Sequence, residues 1–290
     1  KTRVTSLMGI AWQTVGTIVE RVVARNVDPG RLKDLRSIGV DEFSYRKRHR
    51  YITIVVDHER KRVVWASEGH GEAVLSRFFG ELGPEGRSRS ATVTLDLAAG
   101  FTKAVREGLP NAVISYDCFH VQALAGKAVD EVRRTEVRDA EGTAQASDIK
   151  RSRFALLRNP WNLTRRDQAK LCTIEATNQR LYRAYLLKES LREALGELDP
   201  ERAIGKVREW LAWASRSALK PFVRTARTIR KHIAGVATYL ASRMTNGFTE
   251  GVNNKLRVVA RRAYGFRSSE ALMAMPFLTC GGIPLSAPLP

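Results

Sequence analysis

Ser37-Ile-Gly-Val-Asp-Glu-Phe-Ser-Tyr-Arg-Lys47 is the stretch on which the fold turns. Its apolar start predicts a buried strand that delivers Asp41 to a sheet end. Its basic close, with Arg46 and Lys47, leads to a second strand, Tyr51-Ile-Thr-Ile-Val-Val-Asp57, whose β-branched run is too short for a helix. Lys61-Arg-Val-Val-Trp-Ala-Ser67 supplies a third. Two turns join the three, the second carrying Asp57-His-Glu-Arg60, so the expected arrangement is an antiparallel meander.

Beyond the meander the pattern changes. Residues 71–82 place Val74, Leu75, Phe78, Phe79 and Leu82 on one helical face, and Gly83-Pro-Glu-Gly86 is expected to end that helix. Ala91-Thr-Val-Thr-Leu-Asp96 reads as a strand ending in an acid. A helix over 99–108 follows, then Ala112-Val-Ile-Ser-Tyr-Asp117, again a strand ending in an acid. Strands that alternate with helices should lie parallel to the first strand and beside it.

A meander followed by helix-linked parallel strands is the order of a ribonuclease H-like fold, an α/β architecture on a mixed five-stranded sheet. There the first and fourth strands are neighbours, so Asp41 and Asp96 come side by side. Two carboxylates about 4 Å apart repel by roughly 4 kcal/mol at an effective dielectric of 20. A bound divalent cation relieves this, and hard oxygen ligands suit Mg²⁺. Any one strand-final aspartate is as readily a turn former; Asp41, Asp96 and Asp117 together shift the balance toward a site.

Composition points to the partner. Among 290 residues, Lys and Arg number 49 and Asp and Glu 30, a net charge of +19 spread along the chain. Such an excess favours a polyanion, because cations that neutralise phosphates release condensed counterions. No continuous apolar span or lipidation signal speaks for a membrane, so nucleic acid is the expected partner. The three cysteines lack C-x-x-C spacing, which excludes a zinc ribbon and a disulfide framework and, with no secretory signal, suggests a reducing cytoplasm. The chain starts at Lys1 without a methionine, as if something upstream were missing.

The remaining segments are read as helical. Residues 4–25 resemble the end of a helix-turn-helix, with a turn at Gly9-Ile-Ala11 and Val15, Ile18, Val19 and Val22 in phase, although plain packing gives the same pattern. Between 121 and 245 no strand pattern occurs: 144–152 is expected as a loop, Thr164 as a helix cap, 173–195 as one helix, and 201–217 as an amphipathic one. Trp161 with Arg151, Arg153, Arg158, Arg165 and Arg166 is either a stacking and phosphate surface or a core tryptophan beside solvated arginines. From about Phe248 a helix would align Glu250, Asn253, Asn254, Arg257 and Arg261 along one side. That fits a metal-ligating acid beside a DNA backbone, or simply a surface glutamate paired with Arg257.

Four of these stretches carry a resemblance: 37–47, Leu95-Asp96, Tyr116-Asp-Cys-Phe-His-Val121, and Asn246-Gly-Phe-Thr-Glu-Gly-Val-Asn-Asn-Lys255 with Ala263-Tyr-Gly-Phe266. Over about 36–275 the chain resembles the catalytic region of the ISL-three family of bacterial insertion-sequence transposases, enzymes of the DDE type. The resemblance implies an Asp, Asp, Glu triad at Asp41, Asp96 and Glu250, holding two Mg²⁺ or Mn²⁺ ions. It implies DNA contacts from Arg46, Lys47, Asn253, Asn254, Lys255, Arg257, Arg261 and Arg262, with Asp117 and His120 in a supporting Asp-x-x-His pattern.

The organisation expected is therefore a helix-turn-helix remnant over 1–30, a catalytic domain over 31–120 and 246–280, a large all-α insertion over 121–245, and a disordered tail over 281–290. The function expected is metal-dependent strand cleavage at transposon ends and strand transfer. A homodimer in the bacterial cytoplasm, at the nucleoid, would act on double-stranded terminal inverted repeats and target DNA. Two alternatives share this fold and charge: a transposase-derived DNA-binding protein without catalysis, and a structure-specific DNA nuclease.

Overall fold

The computed structural model describes residues 2–46, 50–97, 99–262 and 269–284. It divides into two compact units: residues 1–115 with 244–290, and Tyr116–Arg243.

The first unit opens with helices α1 (Thr2–Met8) and α2 (Trp12–Asn26), separated by a turn in which Gly9 takes a positive φ of 63°. The meander follows as β1 (Ser37–Arg46), β2 (Arg50–Asp57) and β3 (Arg62–Glu68). Next come α3 (Glu72–Arg89), β4 (Thr92–Leu95), α4 (Ala99–Gly108) and β5 (Val113–Tyr116). The sheet order is β3-β2-β1-β4-β5, with β1 antiparallel to β2 and parallel to β4. This is the order of the ribonuclease H-like fold.

Both faces of the sheet are covered, which is why β2 reads as an unbroken apolar run. On one face Phe43, Ile52, Ile54 and Val56 pack with Val23 of α2 and with Val252, Leu256, Leu272 and Met275. The last four belong to the two helices nearest the end of the chain. On the other, Trp65 meets Phe78 of α3 with ring centroids 5.5 Å apart. The helix-turn-helix look of the first thirty residues thus includes a packed component: Val15, Gly16 and Val23 turn inward, while Ile18 stays 41 % exposed.

Two local expectations change here. Asp41 is not at the end of β1, which runs five residues further; only Ser37, Ile38 and Gly39 pair with the short β4, so it is β4 that ends near Asp41. Gly83 breaks α3 with φ 71° and ψ 171°, as anticipated, but the helix restarts at Pro84, a residue preorganised for a first helical position.

The second unit contains α5 (Cys118–Asp139), α6 (Ala144–Arg151), α7 (Arg153–Leu157), a 3₁₀ turn at Pro160–Asn162, α8 (Arg165–Thr177), α9 (Gln179–Gly196), α10 (Pro200–Arg216), α11 (Lys220–Lys231) and α12 (Ile233–Ser242). Thr164 caps α8 through a full capping box with Asp167. The expected loop over 144–152 is instead α6, because the Thr143 hydroxyl accepts from Ala146 N and caps it. The single helix expected over 173–195 is interrupted at Asn178, which leaves α8 and caps α9. Trp161 is 68 % exposed, which removes its core reading.

The chain then returns to the first unit with α13 (Gly247–Arg262) and α14 (Ser269–Cys280), whose inner faces carry the four core residues named above. The tail is ordered at its start, since Gly281 N bonds Phe277 O and Ile283 packs on the core; 285–290 lie outside the described residues. Among the described residues no helix is long and apolar enough to cross a membrane.

Candidate active site

The site is built where β1, β4 and α13 meet. Gly39 pairs with Thr94 across β1 and β4, the last pair of their register; two residues on in each segment stand Asp41, within β1, and Asp96, just past the end of β4. Side chains two apart share a face, so Gly39 and Asp41 face the same way as Phe43, whose side chain packs with α13 and α14.

A buried polar network seats α13 on the strands. The Asn246 amide donates to Val40 O at 3.2 Å, and its oxygen accepts from the hydroxyls of Thr249 at 2.7 Å and Thr94 at 3.0 Å. His58 Nε2 lies 2.6 Å from the Thr94 oxygen; because Thr94 gives its proton to Asn246, Nε2 is assigned as a donor. Gly39 is required beneath this cluster: a Cβ there would lie 2.5 Å from Thr249 Oγ1, 2.7 Å from His58 Nε2 and 2.8 Å from Asn246 Oδ1. Burial holds the His58 imidazole below its ordinary value, against a smaller upward pull from Asp57.

Two turns further along α13, Asn253 Nδ2 donates to Asp41 Oδ2 at 2.6 Å, while Glu42 N donates to Asp41 Oδ1 at 2.7 Å. Asn253 is therefore turned inward, 1 % exposed, whereas Glu250, Asn254, Arg257 and Arg261, with which its spacing grouped it, are exposed. Its own Oδ1 is buried and without a hydrogen-bond partner among the described residues. The outer face of α13 carries Glu250, Asn254, Lys255, Arg257, Arg261 and Arg262, all exposed. Arg257 donates to Asn254 Oδ1 at 2.9 Å, and Glu250 has no ion pair among the described residues, so the anticipated Glu250–Arg257 pair is not what occupies this surface.

Glu42 is an acid that sequence reasoning passed over. It projects from β1 next to Asp41, and burial first, then the charges of Asp96 and Asp41, push its carboxyl up, with His70 pulling the other way. The only signal was its place beside Asp41, and strand alternation argues for opposite faces.

The donors suit a hard divalent cation: the Asp41 carboxylate, the unpartnered buried amide oxygen of Asn253, which is bonded to Asp41 through its nitrogen, and the Asp96 carboxylate just past β4. Yet among the described residues no three His, Cys, Asp or Glu side chains stand at the spacing of a formed metal site. The structure places Asp41 within β1 and Asp96 just past the end of the neighbouring β4 and ties Asp41 to α13, leaving Glu250 on the solvent side of the first turn of that helix.

Of the other expected residues, Asp117 caps α5, accepting from Phe119 N at 2.9 Å, as a turn former does, and His120 lies in the first turn of the same helix. Both belong to the helical unit. Arg46 closes β1. Lys47 and the Ala263-Tyr-Gly-Phe266 motif lie outside the described residues.

A ribonuclease H-like sheet with aspartates on β1 and after β4, crossed by a helix bearing a glutamate and cations, is the framework expected of the DDE transposase class. A family model for ISL3 transposases of that class matches residues 38–275, and the chain belongs to this family. It is 40 % identical over 307 aligned positions to the transposase for insertion sequence element IS1557 of Mycobacterium tuberculosis (strain H37Rv), covering 97 % of this chain and 68 % of that protein. It is 30 % identical over 263 positions to the transposase for insertion sequence element IS1001 of Bordetella parapertussis, covering 90 % and 65 %. It is thus an enzyme of the transposase kind, with DNA as its partner.

Proposed function

We propose that this transposase cuts a DNA strand at the ends of an insertion sequence and joins the freed 3′-hydroxyl to target DNA. Asp41, Asp96 and Glu250 are the acids that would hold two divalent cations, Mg²⁺ or Mn²⁺. The observation that carries the reading is the β1–β4 register, with Asp41 and Asp96 two residues beyond its last pair, together with the Asn253 bond that docks the glutamate-bearing helix on Asp41.

Cations bound there supply Lewis acidity toward the scissile phosphate and acidify a water. The chain's own residues do the rest. Asn253 fixes the orientation of the Asp41 carboxylate, and the Asn246 network fixes the depth of α13 against β1 and β4. Lys255, Arg257, Arg261 and Arg262 present exposed positive charge to a DNA backbone. Both steps are displacements at phosphorus by water or a 3′-hydroxyl, so no covalent protein nucleophile is needed; the Cys118 thiol, pushed up to about 12 by burial, stays protonated at neutral pH. Joining two ends calls for two active sites, and a homodimer supplies them.

Replacing Asp41 by Ala should lower metal-dependent cleavage and joining of terminal DNA by roughly a thousandfold, a loss of several kcal/mol of transition-state stabilisation, while DNA binding persists. Cleavage at the wild-type rate in that variant sinks the proposal. A second reading, a DNA binder without chemistry, takes its support from Glu250 standing apart on the solvent side. It is preferred if the wild-type chain binds terminal DNA but never nicks it in Mg²⁺ or Mn²⁺. Cutting of branched DNA without joining would favour a structure-specific nuclease.

A further inference from the structure

The helical unit holds a cleft of about 500 Å³ that strand cutting leaves unused. One stripe of α5 lines it, with Phe119, Lys127, Asp130 and Arg134 in turn, and Arg153 and Asn159 complete the wall. Asp130 is the single acid of the lining, and three guanidinium groups share it: Arg133 at 2.7 Å, Arg153 at 3.3 Å and Arg134 at 3.4 Å. One carboxylate cannot neutralise three arginines, so positive charge remains for an anion.

Exposed rings accompany that charge. Phe119, Phe154 and Trp161 are 59 %, 62 % and 68 % exposed. The Arg153 guanidinium lies 5.8 Å over the Phe154 ring, and that of Arg192 lies 5.0 Å over Trp161. Arg192 is one turn along α9 from Lys188, which also lines the cleft. Large aromatics held in water beside guanidinium groups mark a binding surface. A ring offers a face to a base and the neighbouring guanidinium binds its phosphate. In a duplex all base faces but the two terminal ones are hidden in the stack, so an unpaired strand is the ligand that can use several such rings.

We propose that this cleft binds unpaired DNA, the Phe119 ring stacking on a base within it and the Trp161 ring, outside the lining, on a further base of the strand, while Arg134 and Arg153 take the phosphates. The inference rests on the transposase reading for the source of such a strand, which opening or cutting an element end would expose.

The test uses the full chain and a labelled oligothymidylate of about 12 nucleotides, followed by fluorescence anisotropy without divalent cation at roughly 0.1 M salt. Phe119→Ala and Trp161→Ala should each weaken binding about tenfold while binding to blunt duplex of the same length stays within about twofold. Phe119→Tyr should restore it. Arg153→Gln should lower affinity and reduce the salt slope by about 0.7. Unchanged oligothymidylate affinity in both alanine variants overturns the proposal, as does an equal loss on duplex. Dissociation of a dimer by Trp161→Ala with strand binding intact would assign the surface to a second copy and overturn it too. Asp41→Ala should bind oligothymidylate as the wild type does, so failure of the cleavage reading and failure of this one are told apart.

Discussion

The acidic centre of the sheet unit and several buried or capping acids of the helical unit find their partners over different distances along the chain. In the sheet unit Asn246 reaches Thr94 across 152 residues and Val40 across 206, and Asn253 reaches Asp41 across 212. In the helical unit Glu189 is met by Lys188 and Arg192, Asp167 by Thr164 and Arg158, and Glu197 by Lys206, all within nine residues. These acids of the helical unit are thus met locally, although the same unit also has long ties such as Arg224–Glu131 and His232–Tyr116, whereas the acidic centre exists only when three distant segments are in register. Damage to the long-range bonds should disable the site, and damage to the short-range ones should soften a helix.

The largest stability effect should come from Asn246→Ala. The change leaves the Thr94 and Thr249 hydroxyls without their acceptor and the Val40 carbonyl without this donor, in a place where Thr94 and Thr249 are fully buried. Unsatisfied buried groups cost about 1–3 kcal/mol each, so a loss of roughly 3 kcal/mol is expected, with cleavage falling as α13 loosens. Urea unfolding with hydrogen exchange resolves where the loss falls. Confinement to the sheet unit sharpens the contrast, and equal loss in both units breaks it.

A smaller effect is expected from acid. His58 titrates below its ordinary value in the folded chain because burial disfavours the imidazolium. Between the ordinary and the folded value the unfolded chain binds more protons. The stabilisation is therefore complete above about 6.5 and is lost as pH falls through the folded value. Thermal melts across that window should show the sheet unit weakening on acidification, and His58→Gln should flatten the dependence. A profile that is the same with and without His58 would remove it from the network's energetics.

The same difference in range explains what could be read in advance. The meander, the helix-linked strands and the sheet order were legible because β-branched runs and turn residues are local signals. The Thr164 cap was legible for the same reason, and Thr143 was an equally good cap passed over when 144–152 was read as a loop. Asn253 was grouped on one side with Glu250, Asn254, Arg257 and Arg261 because helical spacing gives a face but not which of its side chains turn inward. Its partner lies 212 residues away. The place of Asp41 within β1 was missed because strand length depends on β2, which pairs it through to Arg46, and not on the short β4. Trp161 stood undecided until its exposure was known, since an aromatic beside arginines reads alike in a core and on a surface.

The smallest effect tests the helical side. The Thr164 hydroxyl accepts from Asp167 N at 3.2 Å, and the Asp167 carboxylate returns a bond to Thr164 N at 3.2 Å, so both ends of the box depend on one residue's geometry. Thr164→Ala removes the hydroxyl but leaves Asp167 in its contact with Arg158, which limits the damage to the first turn of α8. Loss of such a cap costs about 1 kcal/mol. Hydrogen exchange should report faster opening of the start of α8 alone, with cleavage of terminal DNA unchanged. A fall in cleavage comparable to that of Asn246→Ala would mean that this local motif acts on the acidic centre, and that the two units are energetically one.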